Sequence, residues 1–169
     1  QFGPYHSWDR NVMASALEAL ASDPDHLPAV VAIDTLYSGE TGTDADDHLA
    51  SAAEKLGCVI TADVVSFGRE NLKGDNGLYV VNDYAIEGFE TPYPALKDAT
   101  VQGHINAMND TDGILRHAIL YVDPPGEARV YSMASTAARI FAEKNGREIT
   151  LPKTGARGMF WVSFSAAPN

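Results

Sequence analysis

Apolar residues recur at helical spacing near the start of the chain: Val12, Met13, Ala16, Leu17 and Leu20 fall on one face behind Asp9, whose carboxylate suits the free amides of a first turn. This predicts a helix over 10–21, stopped by Asp23-Pro24-Asp25. The pattern then changes to a short continuous apolar run, Val30-Val31-Ala32-Ile33, that reads as a strand covered on both faces and ended by Asp34 and Thr35. After a polar loop from Ser38 to Thr43, Asp44, Asp46 and Asp47 complement the dipole of a helix carrying Leu49, Ala52, Ala53 and Leu56. Gly57 marks its stop, and Cys58 to Val65 is a second strand. Helix, strand, helix, strand is the order of a parallel pair joined by a covering helix.

The middle is less regular. Gly68 to Gly77 is rich in Gly, Asn and charge and reads as loop, Leu78 to Ile86 as a strand, and Pro92-Tyr93-Pro94 opens a short helix over 95–99. Two further strand-like runs, Gly103 to Met108 and Ile114 to Val122, flank Asn109-Asp110-Thr111-Asp112-Gly113 and predict a hairpin. A helix from Tyr131 to Phe141 ends at Asn145-Gly146, and Met159 to Phe164 is the last strand. The expectation is a single α/β domain, residues 1–169, with a mixed β-sheet flanked by helices on both faces.

Composition narrows what such a domain does. With 23 acidic residues against 12 Lys and Arg, a net charge of −11 repels nucleic-acid phosphates and anionic lipid surfaces, so nucleic acid is not an expected partner. The single cysteine, Cys58, permits no internal disulfide and sits in an apolar run as a small hydrophobe. No run approaches the ~20 apolar residues that span a bilayer. The chain starts and finishes close to its first and last elements, as a domain excised from a larger protein would.

Catalytic signatures are missing. Ser38 to Thr43 has the small residues of a phosphate loop without its lysine, and no Gly-x-Ser-x-Gly elbow presents a nucleophile. Asp44, Asp46 and Asp47 resemble a fragment of a calcium loop but lack its glycine and distal glutamate, which favours a solvated helix start. None of His6, His26, His48, His104 and His117 forms an i, i+4 metal pair, and no metal or other cofactor is expected. On the predicted hairpin, strand alternation puts His104, Asn106 and Met108 on one face with His117, Ile119 and Tyr121. Polar groups so placed are either a ligand pocket or core side chains satisfied by backbone. Asp34, at the carboxyl end of its strand, lies where open α/β sheets place ligands, or caps the loop that follows. A small hydrolase or metal-dependent enzyme using Asp34 with His104 or His117 is the alternative reading.

Several segments, in order, carry a resemblance. Asp9-Arg10, Ala32-Ile33-Asp34-Thr35-Leu36-Tyr37-Ser38, Asp46-Asp47-His48-Leu49-Ala50, Gly103-His104-Ile105-Asn106, Asp110 to Arg116, and Tyr131 to Ala138 together resemble the type-two CHASE family of bacterial sensory domains. The resemblance covers nearly the whole chain, with little from 66–91. It implies a non-catalytic extracytoplasmic input domain of a transmembrane receptor, between membrane helices and coupled to a cytoplasmic nucleotide cyclase, histidine kinase or serine/threonine kinase. It also implies an unknown small-molecule or protein signal, and association into homodimers is open. The motif positions carried over are Asp34, His104, Asn106, Asp112, Gly113 and Arg116, with Asp112 and Gly113 serving the turn. With His117 added from the predicted hairpin face, the expected ligand-binding residues are Asp34, His104, Asn106, Arg116 and His117. The terminal strand Phe160-Trp161-Val162 is the expected mechanical link to the membrane.

Overall fold

The computed structural model describes residues 8–108, 112–155 and 157–162. His6, residues 109–111 of the expected turn, and Ser163 and Phe164 of the expected last strand lie outside the described residues.

Helix α1 (Arg10–Leu20) starts where the Asp9 carboxylate accepts the Asn11 amide at 2.9 Å. A 3₁₀ turn (Pro24–His26) follows, then strand β1 (Val31–Ile33), helix α2 (Asp44–Leu56) and strand β2 (Val59–Lys73). Gly57 ends α2 at φ 66°, a left-handed conformation that side chains with a Cβ resist. β1 and β2 pair in parallel, Val31 to Val59 through Ile33 to Thr61, with α2 as the connecting helix. β1 differs from expectation in one respect: it is an edge strand, with Ala32 exposed and only Ile33 buried.

β2 is longer than its apolar run. Its first residues lie between β1 and strand β4 (Val101–His104), both parallel to it, while from Val64 to Lys73 it pairs antiparallel with strand β3 (Tyr79–Glu90). The stretch read as loop therefore remains strand as far as Lys73 and only then turns, because cross-strand pairing overrides the weak local preference of Gly and Asn. At Gly68 the Glu87 side chain of β3 folds across the strand, into the space a Cβ would take. Helix α3 (Pro94–Ala99) leads from β3 into β4.

The expected hairpin does not form. β4 pairs with β2, from Ile60 with Val101 to Asp63 with His104. Strand β5 (His117–Ile119) instead pairs antiparallel with β8 (Met159–Trp161), and β6 (Tyr121–Val122) pairs with β7 (Val130–Tyr131). An Asp-Gly step favours a bend but does not choose the strands' partners, and the apolar flank of β2 buries β4 better than a free hairpin would. Helix α4 runs Met133–Lys144, capped by the Ser132 hydroxyl on the Ser135 amide at 3.2 Å, so Tyr131 belongs to β7 and not to the helix.

Alternation along β2 divides the core. Val59 packs with Ile33, Leu17 of α1, Leu49 and Ala53 of α2, and Leu96 of α3, whereas Ile60 and Ala62 pack against Met133 of α4. Helices thus cover both faces of a mixed sheet, and the fold is α/β. Helix α4 sits directly on β4: a Cβ on Gly103 would lie 2.6 Å from the Met133 Cα. A third cluster, Val65, Ile119 and Val122, joins the smaller sheets to the β2–β3 ribbon.

Candidate functional site

The exposed side of α4, the end of β1, the segment after β4, β5 and the stretch around 149–152 enclose an open cleft of about 840 Å³. Its walls are chiefly apolar, with Ile105, Leu115, Ala134, Ala138, Leu151 and Phe160 among them. Ala134 and Ala138 face out of α4 on the side away from its buried Met133 and Thr136, which leaves the helix without side-chain bulk over the cleft.

Four of the five residues expected to bind a ligand line this cleft: Asp34, His104, Asn106 and His117. They do so in different ways. Asp34 is exposed at the exit of β1 and makes no hydrogen bond or ion pair among the described residues. Both ends of the Asn106 amide are used by backbone, the oxygen accepting from the Val65 amide at 2.9 Å and the nitrogen donating to the Val65 carbonyl at 2.7 Å. Asn106 thereby extends the sheet edge one step past β4 with a side chain in place of a strand. The His117 ring lies 3.9 Å from that of Trp161, its cross-strand partner on β8. Arg116 is not in the cleft; it forms a two-bond ion pair with Asp112 at 2.9 and 2.8 Å. The i, i+4 spacing of that pair and its exposure explain the difference, since an arginine fork meets a nearby carboxylate at little ordering cost.

His104 meets the cleft at its wall, but its side chain is 1% exposed and neither ring nitrogen has a hydrogen-bond partner. Its partner in the β2–β4 register is Asp63, also 1% exposed, whose Oδ1 is likewise unpartnered. Strands in parallel register place such partners on one face, here the face of Thr61, whose hydroxyl bonds that of Thr100 at 2.7 Å. Burial pushes Asp63 up to about 6, with Lys97 opposing and Glu127 adding to the shift. Burial pushes His104 down to about 4, against a pull from the Leu120 backbone. The carboxylate beside His104 is thus Asp63 and not Asp34. Asp63 was not expected as a site residue; its signal was a lone charge inside the run Val59-Ile60-Thr61-Ala62-Asp63-Val64-Val65.

The acidic start of α2 is a structural device. Asp46 is buried and accepts bonds from the Thr41 amide and hydroxyl, both at 2.7 Å, and the Gly42 amide at 3.1 Å, besides its ion pair with Arg10. The Arg10 guanidinium lies 4.4 Å from the Tyr93 ring centroid, and the Tyr93 hydroxyl donates to the Asp46 carbonyl at 2.8 Å. Burial raises the Asp46 pKa, but these bonds from Thr41, Arg10 and Gly42 outweigh it and leave the carboxyl below its ordinary value. No three His, Cys, Asp or Glu side chains converge as a metal site among the described residues.

The pattern of the CHASE2 domain matches residues 3–168, nearly the whole chain. The chain belongs to the CHASE2 family. CHASE2 domains are extracellular sensory domains without catalytic function. Comparison with curated proteins and with solved structures gives no match. The residues that carried the resemblance divide, in this CHASE2 domain, into structural ones (Arg10, Asp46, Gly103) and cleft ones (Asp34, His104, Asn106). Among the described residues no helix is long and apolar enough to cross a membrane.

Proposed function

We propose that this CHASE2 domain is the extracytoplasmic input of a bacterial transmembrane receptor and that its signal is a small, largely apolar molecule bound in the cleft beside α4. The observation that carries the reading is the cleft of about 840 Å³, lined mainly by Ile, Leu, Ala and Phe side chains, with Asp34 and His117 among its polar groups. Apolar surface of that extent facing water is unfavourable, and a ligand with an apolar body and one polar end relieves it. Phe160 of β8 is part of the wall, so occupancy changes the packing of the last described strand. Beyond that strand we place the link to the membrane and, inside the cell, a nucleotide cyclase or protein kinase. The ligand shifts the output only by its differential affinity for two conformations of the domain.

The test uses the neutral fluorophore N-phenyl-1-naphthylamine and the parent domain beside Ala138→Phe, which fills the cleft from an exposed helix position. The expected result is saturable fluorescence with the parent, weakened about tenfold or more in the variant, while circular dichroism stays the same. Equal binding by both proteins, or none by the parent, counts against a ligand cleft at this place.

A further inference from the structure

A second cleft, of about 460 Å³, lies beside β4 between α3, β7 and α4 and shares no lining residue with the first. Its character is opposite. Asp63 lies in its wall with an Oδ1 that is buried and accepts no hydrogen bond. Three of the chain's 12 Lys and Arg residues, Lys97, Arg129 and Arg139, line it with Glu127. Arg129 is committed to Asp123, through bonds of 2.7 and 3.0 Å. Lys97 and Arg139 have no ion pair among the described residues; Arg139 only faces the Tyr131 ring at 5.2 Å.

A buried acceptor without a donor and two cations without an ion pair, in one cleft and not bonded to each other, leave room for a ligand bearing both complements. Leaving a charged group buried and unsatisfied costs more than the bond it lacks, and a bound ammonium removes that cost. We propose that this cleft binds a small zwitterion of the α-amino-acid type, its ammonium on Asp63 and its carboxylate on Lys97 and Arg139. Glu127 flanks the ammonium end and adds to its selection. The site stands apart from the apolar cleft, so a signal there and a zwitterion here are separate inputs.

Thermal unfolding of the 169-residue chain at neutral pH, titrated with L-alanine, L-glutamate and L-arginine, reads the binding directly. At least one of the three should raise the midpoint saturably, whereas acetate, methylammonium and glycine betaine, which lacks N–H donors, should not. Asp63→Asn should weaken the effect about ten- to a hundredfold, the loss of one charge-assisted bond. Should that variant fail to fold, the double variant Lys97→Gln with Arg139→Gln, on less buried positions, carries the same test. Ala138→Phe should leave amino-acid binding unchanged. The proposal is overturned if no amino acid moves the midpoint, if betaine acts equally, or if the cleft variants respond as the parent does. Those results leave fluorophore binding in the apolar cleft unaffected.

Discussion

Asp63 and His104 are neighbours across β2 and β4, both buried and both short of partners, with opposite shifts. Their linkages to pH oppose each other. Asp63 rises from 3.8 to about 6, so its folded form holds the proton more tightly and its contribution to stability falls as pH rises from about 4 to 6. His104 drops from 6.5 to about 4, so the unfolded chain takes up the proton first and stability falls as pH drops through the same window. In the parent the two trends largely cancel. In Asp63→Asn, stability measured by denaturant titration should rise between pH 4 and 6.5; in His104→Asn it should fall over the same interval, by up to about 3 kcal/mol. Slopes of the same sign in both variants would contradict the assignment.

Among the elements, α4 and β4 are in close backbone contact. Gly103 and Met133 approach so closely that a methyl group has no space, and the atoms it would strike are backbone. Gly103→Ala therefore has to move the helix off the sheet, and chemical denaturation should show a loss of about 2 kcal/mol. Because Ala134 and Ala138 ride on that helix, the same change should alter fluorophore affinity in the apolar cleft although Gly103 is not one of its lining residues. The element also shows why a local reading failed at the hairpin. Asp112 and Gly113 do form a bend, with Asp112 accepting the Ile114 amide at 3.1 Å, yet the strands on either side find other partners. His104 and His117 consequently reach the same cleft from different sheets and not from one hairpin face.

At the scale of the molecule, the β2–β3 ribbon runs beyond the packed core. Its distal half carries Leu72, Leu78, Tyr79, Val80 and Val81, all exposed, and none of the three buried clusters includes a residue between 68 and 85. A two-stranded ribbon without a covering layer is marginally stable by itself. Hydrogen exchange should therefore show amides of 69–82 opening far more readily than those of 59–63, which lie between β1 and β4 under helices. Equal protection in the two halves of β2 would show that the ribbon is covered by something other than this chain's described residues.

Periodicity alone determined the α/β class, the parallel β1–α2–β2 unit, the boundaries of α1 and α2, and the place of Asp34 at a strand exit, because these depend on neighbours a few residues apart. The order of motifs was enough to indicate the CHASE2 family. Tertiary structure decided the rest. That β4 joins β2, that Arg10 and Asp46 neutralise each other 36 residues apart, and that Arg116 turns to Asp112 instead of the cleft are outcomes of three-dimensional competition for partners. The isolation of Asp63 is likewise invisible in the run that contains it, since burial without a partner is a property of the surroundings and not of the residue.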